Sequence, residues 1–588
     1  MYVVATAGHV DHGKSTLVKA LTGQEPDRWD EEKRRGLTID LGFVWTTLPS
    51  GRDLAFVDVP GHEKFLGNML AGVGPAPAVM FIVAADEGWQ EQSDDHRDAV
   101  DAFGITDVVI AMTRADRADE EQREQTRARI AREVAGTTLE NAPVIEVSAH
   151  SGEGLDDLRR ALDTLLELAP TPDPDARLRL WLDRSFSIRG AGTVVTGTLG
   201  AGTVSVGDTL DLSGVSVQVR GLQSEEKQAT SMTPAARVAV NLRGRSADQI
   251  ARGEVLVTPG AWIITDTLDV AGSGFDNPPR EVVVHIGTAA VEAAFRRLGD
   301  RHARLTLTRA LPLQVGDRLV LRKPGERSVY SGVQVLDVDP PELGRRGAGA
   351  RRATELAGMN PAGDAAHEVT RRGAMRRADI VRLGIDVPAD PPKGIVAFRD
   401  FWVHAVTLLR WRDVLANALD EHVGAEPLSP GLSRGAALTA LNLPDENLLG
   451  LVVAAAKLEQ GDGVLRRPGR PVDLGDAERG VATLEKRLRV VPFAAPEADD
   501  LTELGLGTRE LAAAERAGRL LRLGDGVVLL PDAPRIALAR LRGLDQPFTT
   551  SAARQVLDTT RRVAIPLLEH LDTAGLTRRI DGSLREVR

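Results

Sequence analysis

The sequence predicts a multidomain fold in which an α/β P-loop domain is followed by two β-barrels and a C-terminal arm of tandem winged helices. Three observations predict it. Residues 7–16 read AGHVDHGKST and hold the whole G-x-x-x-x-G-K-[ST] pattern between an apolar run at 2–7 and a stretch of helical character at 14–21, the strand-to-helix context that a phosphate loop requires. The run APTPDPD at 169–175 ends the first pattern, and short strands separated by glycine turns follow it. Gly461, Gly518 and Gly575 are spaced 57 residues apart, each in a similar phrase of leucine, glycine and arginine, which marks a repeat.

Up to about residue 170, apolar runs alternate with helical stretches, the pattern of βαβ units around a mostly parallel sheet. Residues 54–59, 79–84, 108–112 and 144–147 are the expected buried strands, with functional groups on the loops at their carboxyl ends. In the first loop, Gly8 and Gly13 let the backbone wrap a triphosphate, Lys14 reaches the outer phosphates and Ser15 offers a hydroxyl to Mg²⁺. Asp11, His12, Gly13, Lys14, Ser15 and Thr16 are therefore the expected contacts. After the second strand, Asp58 is expected to hold Mg²⁺ through water, and Gly61 to let the backbone approach the γ-phosphate.

Between these lies a polar loop containing Arg34, Arg35, Gly36, Leu37, Thr38, Ile39 and Asp40. Thr38 would complete the Mg²⁺ shell and order the loop in the triphosphate state, although a threonine in a polar loop is otherwise simply solvated. Thr113-Arg114-Ala115-Asp116 follows the strand at 108–112, and Ser148-Ala149 follows that at 144–147. A carboxylate at Asp116 accepts hydrogen bonds from N1 and N2 of guanine, which adenine does not offer.

Length and composition bound the rest. With 588 residues and 42% apolar content the chain is long enough for several cores. It has no cysteine, so disulfides and thiolate metal sites are excluded and a reducing compartment suits it. The first residues lack a basic segment followed by a signal-type apolar core, and no apolar run is long enough to span a bilayer. A cytoplasmic monomer with no membrane partner is expected. The net charge of −11 gives no global nucleic-acid footprint and leaves local arginine pairs to supply one.

In this order, the phosphate loop, Thr38, residues 58–62, 113–116 and 148–149 resemble a translational GTPase. The closer resemblance, through residues 7–15, 35–42, 58–66 and 68–74, is to the selenocysteine-specific elongation factors (SelB-type), relatives of elongation factor Tu. The resemblance implies an α/β P-loop GTPase domain that takes GTP or GDP with Mg²⁺, and ribosome-stimulated hydrolysis in which His62 orients the attacking water. By residue type alone His62 is a solvent-facing histidine after a turn. It further implies delivery of selenocysteyl-tRNA to the ribosome at a recoded UGA codon, and an arm that binds an mRNA selenocysteine insertion hairpin. One departure matters: where GTPases usually carry Asn-Lys-x-Asp, this chain has Thr113 and Arg114. Threonine keeps a hydroxyl but loses the amide, and arginine can lay its stem or planar head over the base, so guanine selection is expected to rest on Asp116.

Residues 178–186, 193–198, 209–212, 215–219 and 237–242 read as strands of a small closed barrel, and 259–343 as another. Asp183, Arg184 and Arg237 fall where the resemblance implies a selenocysteyl pocket. A selenol is an anion at neutral pH, so two arginines, one held by the aspartate, would tell it from neutral serine or cysteine. Taken alone, the same residues are equally an ordinary ion pair on a barrel surface.

Beyond Pro340-Pro341 the chain turns to helices rich in arginine and leucine. Each repeat reads as a helix, a glycine cap and a two-strand ribbon, with Asp525-Gly526 or Asp581-Gly582 as its turn. Arg561 and Arg562 open a helix and Arg578 and Arg579 begin the last ribbon. They are a solvated face by composition, and by resemblance the grip on an RNA hairpin backbone. Arg371, Arg372, Arg376 and Arg377 form another basic cluster without an assigned role. The expected division is 1–172 (GTP-binding), 173–258 (barrel with the aminoacyl pocket), 259–343 (barrel), and winged helices at 344–404, 405–472, 473–532 and 533–588. A general aminoacyl-tRNA or initiator-tRNA carrier is the nearest alternative and gives no reason for the repeats. A DNA-binding regulator with a nucleotide switch is disfavoured by the two barrels, and a non-catalytic scaffold by the complete loop together with His62.

Overall fold

Six strands form the first sheet, in the order β2-β3-β1-β4-β5-β6: β1 (Tyr2–Gly8), β2 (Gly42–Thr47), β3 (Asp53–Asp58), β4 (Ala78–Ala84), β5 (Val108–Thr113) and β6 (Val144–Glu146). The computed structural model describes residues 2–26, 38, 40–190, 192–426, 428–429, 431–461, 463–469, 474–581 and 584–588. The expectations placed on Arg34, Arg35, Gly36, Leu37, Ile39 and Gly582 lie outside them. The central strands are apolar on both faces because helices cover both. Helices α1 (Lys14–Thr22) and α5 (Leu155–Leu168) pack Leu17, Val18, Leu158 and Leu162 on one side. Helices α2 (Leu66–Val73), α3 (Glu91–Phe103) and α4 (Glu120–Val134) pack Met69, Val100 and Ile130 on the other. All pairings are parallel except β2 with β3. The sequence reading did not anticipate that edge strand.

The next strands include β7 (Arg179–Ile188) and β8 (Gly192–Leu199), in a seven-stranded sheet. Pairing of Thr209–Leu212, at one end of that sheet, with Val215–Ser224, next to the other end, closes six of its strands into a circuit around Leu180, Val195 and Val240. A separate closed barrel follows, from Ile263–Gly272 to Ser331–Asp337. Helix Ala348–Ala357, which a division at 343 assigns to the arm, lies in the same compact unit as these barrels, residues 1–368 with 376–389. Arg352 pins it there: its Nε meets Asp269 Oδ2 at 2.7 Å and its Nη2 meets Asp337 Oδ2 at 2.5 Å, while Arg304 takes the other Asp269 oxygen at 2.7 Å. Two arginines and two aspartates so buried are tolerable because each charge is paired.

The second unit, residues 369–375 and 390–588, repeats a small plan of strand, helix, helix and hairpin. One copy is Leu432–Ser433, Arg434–Leu441, Leu449–Ala455 and the hairpin Glu459–Gly461 with Val464–Arg466. Another is Phe548–Thr549, Thr550–Leu557, Arg561–Thr573 and Thr577–Arg579 with Leu584–Val587. The helices before three hairpins end alike, with left-handed residues at Lys457 (φ 54°), Gly518 (φ 68°) and Gly575 (φ 72°). The next N–H then bonds five residues back: Leu458 to Val453 at 3.0 Å, Arg519 to Ala514 at 2.9 Å and Leu576 to Leu571 at 2.9 Å. The structural counterpart of Gly518 and Gly575 is therefore Lys457. Gly461 is a strand residue, and its spacing of 57 from Gly518 is not the repeat. A lysine accepts the left-handed geometry at a cost of about 1 kcal/mol, so a search for glycine picks the wrong position.

Candidate functional site

The phosphate loop follows β1 with Gly8 at φ +130° and Gly13 at φ +84°; a Cβ on Gly8 would stand 2.2 Å from the Ile82 carbonyl oxygen. Asp11 (φ 63°) adds a further left-handed turn, so the loop's curvature is fixed by backbone. Lys14 is buried, its ammonium donating to the carbonyls of Gly8 (3.0 Å) and His9 (2.8 Å). Burial pushes it down to about 8, against the opposing pull of Asp58 and Asp11. Gly61 closes over the same ammonium, since a Cβ there would lie 2.3 Å from Lys14 Nζ. Thr16 opens onto solvent on helix α1.

Ser15, Thr38 and Asp58 meet. Ser15 Oγ donates to Asp58 Oδ2 at 2.7 Å and lies 3.1 Å from Thr38 Oγ1. Thr6, which sequence reasoning missed, orients the carboxylate by donating to Asp58 Oδ1 at 2.8 Å. Two hydroxyls and a carboxylate form a hard oxygen set that fits Mg²⁺. Beneath the loop, His96 Nδ1 accepts the Gly8 N–H at 2.9 Å. Burial holds His96 well below its ordinary value and so neutral enough to accept. His12 is likewise buried and pushed down to about 3.

Thr113 Oγ1 donates to the His12 carbonyl at 2.7 Å, tying the loop to the end of β5. The Arg114 guanidinium reaches Glu87 Oε1 at 2.5 Å and Asp86 at 3.5 Å, and donates to the Asp11 carbonyl. It is thus committed to the loop and to an acidic pair that the sequence reading did not connect with it. Asp116 is exposed, and a hydrogen bond with Ser148 holds its carboxyl below the usual range. Ser148 is itself buried and accepts the N–H groups of His150 (3.2 Å) and Ser151 (3.1 Å), with Ala149 on the same loop. His62 is half-buried just past Gly61, where its Nδ1 accepts the Lys64 N–H at 3.2 Å.

A second site lies between β2 and the first barrel. Asp183 is buried and accepts Arg237 with both oxygens, Nη2 to Oδ1 at 2.6 Å, while Thr196 Oγ1 donates to Oδ1 at 2.7 Å. The neighbouring Arg184 donates to the Leu41 carbonyl and lies 3.7 Å from Asp40. Arg252 spans the same junction, reaching Asp40 at 2.6 Å, Asn68 at 2.8 Å and the Asp183 carbonyl at 3.1 Å. The ring of Phe43 lies under the guanidiniums, 3.8 Å from Arg237 and 5.0 Å from Arg184. A cavity of about 240 Å³ opens here, lined by Phe43, Trp45, Arg184, Phe186, Glu225 and Arg237. The sequence reading named Asp183, Arg184 and Arg237 at this junction and did not connect Asp40, Phe43 and Arg252 with them.

In the arm, Arg561 is exposed at the start of its helix. Arg562 is turned to the carbonyls of Ala495 (3.2 Å) and Pro496 (3.0 Å) and to Glu497 (3.1 Å). Arg578 and Arg579 are both exposed, Arg578 pairing with Glu586 at 2.5 Å. Successive strand residues face opposite ways, so these two project to opposite sides of the ribbon. Among the described residues no helix is long and apolar enough to cross a membrane.

The first sheet, its phosphate loop and the Thr113–Asp116 loop define a translational GTPase of the elongation factor Tu type, and the Elongation factor Tu GTP binding domain family matches residues 1–168. Two further families match, the beta-barrel domain of the selenocysteine-specific elongation factor at 278–342 and the winged helix of elongation factor SelB at 539–583. Similarity to "Selenocysteine-specific elongation factor" of Desulfomicrobium baculatum is 31% identity over 100% of this chain and 99% of that one. For the protein of the same name from Escherichia coli K12 it is 32% over 98% and 97%. A crystal structure of a bacterial selenocysteine-specific elongation factor, EF-Sec, superposes with a TM-score of 0.80 at 25% identity, covering 100% of this chain and 99% of that one. The chain belongs to the selenocysteine-specific elongation factor family.

Proposed function

We propose that this chain carries selenocysteyl-tRNA to the ribosome at recoded UGA codons in its GTP form, tethered by its arm to an mRNA selenocysteine insertion hairpin. The observation that carries the reading is the cavity between β2 and the barrel, where Arg237 is clamped by Asp183 and Arg184 stands beside it. A selenolate has a partner there, whereas neutral serine or cysteine does not. The full-length similarity to proteins named for selenocysteine supports the same cargo.

In this reading the loop from Asp11 to Thr16, with Asp58 and Gly61, holds the phosphates. Thr113, Arg114, Asp116, Ser148 and Ala149 hold guanine. Ser15 and Thr38, with Asp58 through water, would hold Mg²⁺, which would screen charge on the phosphates. His62 orients the attacking water when the ribosome moves it inward, and the site alone is slow because it lacks that external trigger. Arg561 with Arg578 or Arg579 grips the hairpin backbone, and Arg562 supports the helix that presents them. The GTP-binding domain extends to about 172 and the aminoacyl barrel to about 258. The protein works as a cytoplasmic monomer.

Binding of selenocysteyl-tRNA and of seryl-tRNA on the same tRNA body, with GTP and with GDP, tests the cargo. A GTP-dependent preference for the selenocysteyl form that is lost in Arg237→Ala is expected. Equal binding of the two forms by the wild type would return the chain to the general tRNA carriers.

A further inference from the structure

Among the described residues one group of three metal-ligating side chains lies together: a ring nitrogen of His9, a ring nitrogen of His12 and a carboxylate oxygen of Glu87, all within 4.8 Å of one another. His9 and His12 bracket Val10 and Asp11 in the phosphate loop, and Glu87 stands in the turn after β4. The His12 side chain is fully buried, and neither of its ring nitrogens has a hydrogen-bond partner among the described residues; the same holds for the buried Nδ1 of His9. Buried polar atoms are ordinarily paired. Here His12 Nε2 lies 3.7 Å from Glu87 Oε2, too far for a hydrogen bond but close to the separation of about 3.4 Å between two donors on one tetrahedral ion.

The carboxylate has an oxygen to give. Arg114 meets Glu87 through Oε1 and Asp86 as well, so two carboxylates face that one guanidinium, and Oε2 is the oxygen nearest His12. Both histidines are neutral because burial lowers them, and a neutral imidazole offers the lone pair that a metal takes. Two imidazoles and one carboxylate make a softer set than the oxygens of Ser15, Thr38 and Asp58, suited to Zn²⁺ and its first-row neighbours and not to Mg²⁺. His12 is fixed by burial, while His9 is half-buried and the Glu87 side chain is 42% exposed, so these two can draw in to bonding distance.

We propose that His9, His12 and Glu87 bind one divalent ion of the zinc class, with a fourth position left to water. The proposal is independent of the cargo reading. The ion ties the residues on both sides of Val10 and Asp11 to the turn after β4, and so staples the phosphate loop through ligands that Mg²⁺ does not share.

The test titrates Zn²⁺, and Co²⁺ as its spectroscopic substitute, into the full chain free of nucleotide. Because the chain has no cysteine, no thiolate competes for the ion. One Zn²⁺ per chain is expected, with a dissociation constant of about 10 µM or tighter, and Co²⁺ should give the strong visible bands of a four-coordinate site. His9→Gln and Glu87→Gln should each weaken Zn²⁺ binding at least about tenfold, with the thermal midpoint in the absence of metal as the report of folding. Mg²⁺ at about 1 mM should leave Zn²⁺ in place. Wild-type binding weaker than about 10 µM, binding unchanged in either folded variant, or displacement of Zn²⁺ by Mg²⁺ would overturn the site. The second result would place the ion on other histidines, and the third on the oxygens of Ser15 and Asp58.

Discussion

The phosphate loop and the arginine cavity both hold cationic side chains against carbonyls and carboxylates, but they draw those partners from different distances. Lys14, Ser15 and Thr113 are satisfied within one sheet and its loops, by Gly8, His9, Asp58 and His12. Arg184 and Arg252 reach across to Leu41, Asp40 and Asn68, and Arg237 stacks on Phe43 of the other domain. One site is complete in a single domain; the other exists only at a junction. Damage to the first should therefore destroy nucleotide binding outright, while damage to the second should loosen the junction and spare more of the nucleotide site.

The largest effect belongs to Gly8→Ala. Its φ of +130° and the 2.2 Å approach to the Ile82 carbonyl oxygen leave no room for a methyl group, and the conflict is with backbone that cannot rotate away. A loss of roughly 3 kcal/mol in urea unfolding and of more than about a hundredfold in fluorescent GDP binding is expected. Binding within about threefold of wild type would break the claim that backbone fixes the loop. Asp183→Asn comes next. It removes the charge that Arg237 meets with two hydrogen bonds while keeping an acceptor for Thr196, and leaving one side of such a pair costs about 3 kcal/mol. Its GDP affinity should fall much less than that of Gly8→Ala; equal losses would show that the junction, too, is part of the nucleotide site.

The same contrast governs what could be read from the sequence. Gly8 to Ser15 was legible because the motif is contiguous and its flanks have the right periodicity, and the buried strands were legible because both faces are covered. The cavity was half legible. Phe43, Asp40 and Arg252 each come singly from separate segments, and nothing in their own neighbourhoods marks them as partners of the arginines. Glu87 and Asp86 escaped because nothing in the sequence links them to Arg114, whose guanidinium meets them and the Asp11 carbonyl from a left-handed backbone (φ 54°). Lys457 escaped because a lysine, unlike a glycine, does not mark a left-handed helix end in the sequence. The strand β2 escaped because it pairs antiparallel at an edge and follows a polar loop without its own βαβ signal.

Lys14 gives the nucleotide site a pH dependence of its own. Burial lowers it to about 8 in the free protein, and a phosphate beside it favours the protonated form. Above about pH 8 the free protein has lost the proton that the complex keeps, so binding takes one up. Affinity for GDP should be flat below that pH and fall by up to about tenfold per unit above it. Calorimetry in buffers of different ionisation enthalpy checks this directly, and an absence of proton uptake at about pH 9 would show that Lys14 is not the group meeting the phosphates.

The smallest effect sharpens the account of the unusual Thr113. Its hydroxyl already gives the buried His12 carbonyl a 2.7 Å hydrogen bond, so what the loop requires at this position is one donor of the right reach and not an amide as such. Thr113→Asn should change GDP affinity by less than about threefold, whereas Thr113→Val, which keeps the shape and removes the donor, should cost about 1 kcal/mol, or roughly fivefold. If asparagine instead tightens binding by an order of magnitude, the hydroxyl is a poor substitute, and the loop is less self-sufficient than its hydrogen bonds indicate. If valine is silent, the tie between β5 and the loop carries no binding energy, and Asp116 with Ser148 must hold the base side of the site alone.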